Sequence, residues 1–249
     1  MSFDLAAAQI RAILLDVEGT TTPIAFVHET LFRFAREHVK DFLENNFDSL
    51  EVQRDLATLQ AEHDIEKASE PSPPALACDS RVATIESFIR YINWLMDRDR
   101  KSAGLKSLQG KIWQQAYIDG VLESQVFPDV PLALERWRRA GLSLNIFSSG
   151  SVLAQKLLFT YTDHGDLTKF LDHYFDTTTG VKTASTSYEH IAAVLKLNPV
   201  AVLFISDVTS ELDAARKAGM QTLLSIRPGN PPQIPSHAHP AIQGFDEIQ

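Results

Sequence analysis

The stretch Asp16-Val17-Glu18-Gly19-Thr20-Thr21-Thr22-Pro23 follows an apolar run, Ile10 to Leu15, that only Arg11 interrupts. Such a run reads as a buried strand, and carboxylates at the carboxyl end of a parallel strand stand where open α/β sheets bind ligands. Gly19 and the threonines after it let the backbone turn tightly beside Asp16 and Glu18. An aspartate that merely ends a strand and opens a turn would look the same locally, so the rest of the chain must decide.

After Pro23 the periodicity becomes helical and stays so for about a hundred residues. Apolar stripes at three- and four-residue spacing run through Leu31, Phe34, Ala35, His38, Val39 and Phe42, weakly through Leu56 and Leu59, strongly through Val82, Ile85, Ile89, Ile92 and Leu95, and through Leu105, Leu108, Ile112 and Ala116. Four helices packing on one another are predicted, with Pro71, Pro73 and Pro74 marking an exposed loop between the second and third. From Phe127 the rhythm alternates. Helices are expected over Leu132 to Ala140, Val152 to Thr160, Tyr188 to Leu195 and Glu211 to Ala218, with strands at Leu142 to Phe147, His173 to Phe175, Val200 to Ile205 and Gln221 to Ile226. This predicts an α/β fold, a Rossmann-like parallel sheet covered by helices on both faces. The first strand belongs to that sheet, so the core spans 1–23 and 126–249 and an all-helical cap, 24–125, is inserted after the first strand. Pro228 to Pro240 reads as a surface connection, after which Phe245 to Ile248 docks back.

Composition narrows the partners. The 249 residues are 44% hydrophobic, too apolar for a disordered chain, yet no apolar run has the roughly 20 residues of a membrane-spanning helix. The start, Met1-Ser2-Phe3-Asp4-Leu5, has no secretory character, so a cytoplasmic protein is expected. With 32 acidic against 23 basic residues the net charge is −9, which argues against nucleic acid and means that an anionic substrate needs a local positive site. A monomer acting on a small molecule is expected. The sole cysteine, Cys78, excludes an internal disulfide. His237 and His239 alternate as metal ligands can, but in a proline-rich tail without other clear ligands they read as solvent-exposed.

In a parallel sheet the strand ends share one edge, so Asp16 and Glu18, Ser148-Ser149-Gly150-Ser151, Lys182, and Ser206-Asp207 with Glu211 beyond all converge there. Each group suits phosphoryl transfer. A carboxylate can attack phosphorus, a second can protonate the leaving oxygen, serines with N–H groups at a helix start can hold phosphoryl oxygens, and a lysine adds positive charge. A further carboxylate helps hold the magnesium that lets an acidic site accept a dianion.

This ordered set resembles the haloacid dehalogenase superfamily, in which a nucleophilic aspartate, a serine or threonine, a lysine and an acidic motif follow in that order. Within it the chain is similar to the enolase-phosphatase (acireductone synthase) family of methionine salvage. The similarity lies in Asp16 to Ile24, Ser148 to Ser151, Phe204-Ile205-Ser206-Asp207-Val208-Thr209, Leu108-Gln109-Gly110 with Trp113, Gln155 to Phe159, and Arg227-Pro228-Gly229-Asn230. The resemblance implies Asp16 as nucleophile and magnesium ligand, Asp207 as a second ligand, and Glu18 as acid/base group whose position also contributes to the metal site, by side chain or backbone. It implies Ser148, Ser149 and Lys182 as phosphate contacts, Ser149 by hydroxyl or by N–H, and one Mg2+ per chain. Glu18 departs from the aspartate usual in the wider superfamily and agrees with this family; Glu211 is left open between a site role and a helix-start carboxylate. The implied reaction is enolisation of 2,3-diketo-5-methylthiopentyl 1-phosphate followed by dephosphorylation through an aspartyl phosphate. Another phosphatase or phosphomutase of the superfamily is the first alternative. A receiver-like signalling module is about half this long and phosphorylates an aspartate after an internal strand, and a dehalogenase would not need Glu18 and Asp207.

Overall fold

Four consecutive apolar residues, Ala12–Leu15, form strand β1, and every one of them is buried. A strand flanked on both sides and covered on both faces has no polar alternation, which is why this segment reads as a plain apolar run. The computed structural model describes residues 3–68, 70–232 and 238–249. In it β1 pairs in parallel with β2 (Ser143–Phe147) on one side and with β4 (Val202–Ser206) on the other. Strand β3 (His173–Phe175) extends the sheet beyond β2, while β5 (Gln221–Ser225) and β6 (Ala241–Ile242) extend it beyond β4. The order is β3-β2-β1-β4-β5-β6, all parallel. The chain runs out to one edge and then returns to the opposite side of β1, so the switch point, where open sheets of this kind bind ligands, lies between β1 and β4.

The period-two alternation of β1 sends its side chains into two separate cores. Ile13 and Leu15 pack with Val130, Leu134 and Trp137 of α5 (Val130–Arg139), with Leu158 and Phe159 of α6 (Val152–Thr160), and with the C-terminal Phe245 and Ile248. Ala12 and Leu14 face the other way, against Tyr188 and Ile191 of α7 (Ser185–Leu195) and Leu212 and Ala215 of α8 (Thr209–Lys217). Helices therefore cover both faces, as the alternating pattern predicts. Strand β4 starts two residues later than expected because Pro199, which has no N–H to give a ladder, opens a 3-10 turn over Pro199–Ala201 capped by the Asn198 side chain.

The chain divides into two compact units, Met1–His28 with Leu122–Gln249, and Glu29–Val121; the sequence reading put the insertion at 24–125. The second unit is helical: α1 (Arg33–Asn46), α2 (Leu50–Glu66), α3 (Arg81–Met96) and α4 (Ala103–Ile118). They enclose Leu43, Leu59, Tyr91, Leu95 and Leu108. Three of these helices begin on a serine, Ser49, Ser80 and Ser102, whose hydroxyl accepts from an N–H in the first turn and so fixes the start. No described helix is long and apolar enough to cross a membrane.

The tail departs from the reading. After the Pro228 to Pro240 connection the chain adds β6, which pairs with β5 and has no counterpart in the sequence reading, while Phe245 and Ile248 dock back as expected and are fully buried. A two-residue strand is too short to leave a periodic signature. His239 is a correction: it is buried, its Nδ1 2.7 Å from Thr222 Oγ1 and its Nε2 3.0 Å from Asp213 Oδ1, so it ties the tail to β5 and α8. His237 lies outside the described residues.

Candidate active site

The Asp16 N–H donates to the Ile205 carbonyl (3.0 Å), continuing the pairing of β1 with β4 by one residue and bringing Asp16 and Asp207 to neighbouring strand ends. Lys182 arrives from the loop after β3. Its ammonium is 2.6 Å from Asp16 Oδ1 and 2.6 Å from Glu211 Oε2. The Ser206 hydroxyl lies 3.0 Å from Glu211 Oε2 and 3.4 Å from Asp16 Oδ2. Asp16, Lys182, Ser206, Asp207 and Glu211 are all buried.

Two glycines make this approach possible. Gly19, at φ +67°, turns the chain directly under Asp207, and a Cβ there would collide with the Asp207 carboxylate. Gly180, at φ +145°, lies so close to Ser187 that a Cβ would meet its Oγ. That hydroxyl donates to the Val181 carbonyl (2.7 Å), and the Tyr188 hydroxyl donates to the Lys182 carbonyl (2.7 Å). The lysine backbone is thus held from the first turn of α7 while its side chain reaches Asp16.

Three buried carboxylates, Asp16, Asp207 and Glu211, stand against the ammonium of Lys182. Burial first, and then the negative charge of Asp16 and Glu211, pushes Asp207 up to about 7 despite Lys182. Burial and Asp16 push Glu211 up to about 7, opposed by its bonds to Lys182 and Ser206. Asp16 is also raised, by burial more than Lys182 offsets. For Lys182 burial acts downward, but the carboxylates of Asp16 and Glu211 overcome it and the net displacement is upward. A divalent cation beside Asp16 and Asp207 would cancel the excess negative charge and return both to their ionised forms, so this donor set fits magnesium, which prefers carboxylate oxygens.

Of the three residues expected at a metal, Asp16 and Asp207 join this cluster, whereas the Glu18 side chain is 43% exposed with its Oε2 3.5 Å from His28 Nε2. Among the described residues no group of three or more His, Cys, Asp or Glu side chains is arranged to hold a metal. Ser148 is buried at the end of β2; its N–H donates to the Phe175 carbonyl and its Oγ accepts from the Gly150 N–H (3.1 Å each). Ser149 follows, half-buried, and the cap of α6 is Ser151, so neither Ser148 nor Ser149 is used as a helix cap. Gln155 braces the serine loop, its Nε2 donating to Gly150 O and Phe175 O (2.9 Å each). Glu211 was ambiguous in sequence. It lies one helical turn from Asp207, and only the tertiary contact with Lys182 and Ser206 separates a site carboxylate from a helix-start one.

Comparison with known proteins identifies the family. Residues 10–219 match the family model of the haloacid dehalogenase-like hydrolases. The enolase-phosphatase E1 of Synechococcus elongatus is 50% identical over 239 residues, covering 96% of this chain and 98% of its own. That of Klebsiella oxytoca is 44% identical over 239 residues, covering 96% of each. Among solved structures, the UTR4 protein of Saccharomyces cerevisiae is similar with a TM-score of 0.77 and 32% identity, over 95% of this chain and 99% of that one.

Proposed function

The chain belongs to the haloacid dehalogenase-like hydrolases and, within them, to the enolase-phosphatase E1 family, and on that premise we propose that it carries out both halves of one reaction in methionine salvage. The substrate is 2,3-diketo-5-methylthiopentyl 1-phosphate, and the products are the acireductone 1,2-dihydroxy-3-keto-5-methylthiopentene and phosphate. The acting species is one chain with one magnesium ion, in the cytoplasm. The observation that carries the reading is Asp16 beside Asp207 at the switch point, with Lys182 2.6 Å from the Asp16 carboxylate.

In the first half a base removes a proton from carbon 1 and the electron pair moves toward the carbon 2 oxygen; Glu18, half-buried and two residues beyond Asp16, is the candidate base. In the second half an Asp16 carboxylate oxygen attacks phosphorus, and the ester P–O bond breaks with its electron pair going to the leaving oxygen, which takes a proton from Glu18. A water, giving its proton to Glu18, then attacks phosphorus, and the bond to Asp16 breaks with its electron pair returning to the carboxylate as phosphate leaves. The proton on Glu18 passes to the carbon 2 oxygen, which completes the 1,2-dihydroxy product and restores the base. Ser148 and Ser149, braced by Gln155, hold the phosphoryl oxygens, and Lys182 keeps positive charge next to the attacking oxygen. Asp16 and Asp207 would hold magnesium, which supplies the charge that accepts the phosphate dianion and the developing enolate oxygen.

Incubation with the diketone phosphate and magnesium tests this reading, with phosphate and the enediol followed together; both should appear. Asp16→Asn should abolish phosphate release while leaving the circular dichroism spectrum unchanged, and acid quenching of the unsubstituted protein during turnover should find phosphate on Asp16. Substantial turnover by the Asn variant would sink the proposal.

A further inference from the structure

Among the buried polar atoms with no hydrogen-bond partner is Asn230 Oδ1. The other side of the same amide is fully engaged: Nδ2 donates to the Gly19 carbonyl (2.9 Å) and to the Ser225 carbonyl (3.4 Å). Two carbonyl oxygens can pair only with the nitrogen, so the amide has one possible orientation and its oxygen must face away from them. It faces Asp207. A Cβ placed on Gly19 would lie 2.9 Å from Asn230 Oδ1 and would collide with Asp207 Oδ2, so both oxygens crowd the same point above Gly19. Asn230 Oδ1 calls for a donor at that point, because a buried acceptor left unmatched costs about 1–3 kcal/mol.

The residue is presented rigidly. Asn230 N–H closes a turn onto the Arg227 carbonyl (3.1 Å). The Arg227 guanidinium lies between the rings of Phe127 and Phe245, 4.6 and 4.5 Å from their centres, and its Nη1 bonds both Asp129 oxygens at 3.0 and 2.9 Å. Its Nε donates to the Thr20 carbonyl (3.2 Å), one residue beyond the carbonyl that Asn230 holds. The turn after β5 is thereby fastened to the turn after β1.

We propose that Asn230 is a positioning residue of the magnesium site: its Nδ2 pins the Gly19 carbonyl beneath Asp207, and its Oδ1 accepts from a water of the bound ion. The assignment rests on magnesium binding at Asp16 and Asp207. Residues that orient a metal's ligands or waters in this way are worth about 10- to 100-fold in affinity.

Calorimetric titration of magnesium into chelator-stripped protein provides the test, with melting curves of the same samples. The unsubstituted protein should bind; Asn230→Ala should bind about 10-fold more weakly or worse, and Asn230→Asp, which retains an oxygen there but loses the Nδ2 bond to the Gly19 carbonyl, should lose less. Unchanged affinity in the Ala variant overturns the proposal. So does an equal loss in both variants, since the Nδ2 bond would then be the whole contribution. If the Ala variant does not fold, a loss of about 10-fold or more in the Asp variant, despite its added negative charge, overturns it, and a smaller loss supports it. Absence of binding by the unsubstituted protein would instead refute the magnesium reading on which the assignment stands.

Discussion

In the absence of divalent cations this protein should be stabilised by removing one of its own site carboxylates. Asp207 has a folded-state pKa of about 7 against 3.8 for the ordinary group, because burial and the charges of Asp16 and Glu211 oppose its ionisation. Between those two values the folded chain binds a proton that the unfolded chain does not, so stability is present at low pH and is lost as the pH rises through 7. Integrating that difference from about pH 5 to about pH 8 gives a loss of about 2.7 kcal/mol for Asp207 alone. Glu211, raised to about 7 by burial and by Asp16, does not add a second full share, because protonating one carboxylate removes charge that raises the others. Asn is a neutral isostere of the protonated acid. In excess chelator, Asp207→Asn should therefore match the unsubstituted protein near pH 5 and exceed it near pH 8, by about 5–10 °C in melting temperature for a chain of this length. Titrating groups outside the Asp16, Lys182, Asp207 and Glu211 cluster are common to both proteins, so the difference between the two curves isolates this cluster. Magnesium at about pH 8 should raise the unsubstituted protein and leave the variant nearly unmoved. A difference between the two proteins that stays flat across the range would refute the claim that buried, mutually repelling carboxylates make this site a cation receptor.

Lys182→Met leaves Asp16 and Glu211 without their ammonium and should cost about 3 kcal/mol near neutral pH, less in acid where the carboxylates are protonated; urea melts at two pH values check this, and a variant as stable as the parent at neutral pH would count against the pairing. Gly180→Ala drives a methyl into Ser187 Oγ at an unfavourable φ and should lower both stability, by about 1–3 kcal/mol, and turnover. Adding Ser187→Ala should recover part of the loss; no recovery would place the strain elsewhere. With a phosphonate analogue of the diketone, whose carbon bridge blocks release of the leaving group, the protein with magnesium should still exchange the carbon 1 hydrogen in deuterated water. Glu18→Gln should slow that exchange, and a competitive analogue that never exchanges would remove the enolisation half of the proposal.

The linear order of the chain determined the class of the fold and the edge on which its chemistry lies. Strand and helix periods are local properties, and parallel strands can only be joined by crossovers, so alternating periods together with Asp16, Ser148, Lys182 and Asp207 at successive strand ends already place those residues on one edge. The insertion was legible for the same reason, since about a hundred helical residues cannot join the sheet they interrupt. What the sequence left open depended on contacts between segments far apart in the chain. Glu211 reads as a helix-start carboxylate until Lys182, brought from another strand end, lies 2.6 Å from it. His239 reads as a tail residue until β6 pairs with β5 and buries it against Thr222. Asn230 stands in the Arg227-Pro228-Gly229-Asn230 stretch that carries the family resemblance, but that stretch does not disclose its role, which depends on which atoms of Gly19, Ser225 and Asp207 surround it. Periodicity reports which face of an element is apolar, but burial of a charge, and the partner that makes the burial tolerable, exist only once the chain has closed on itself.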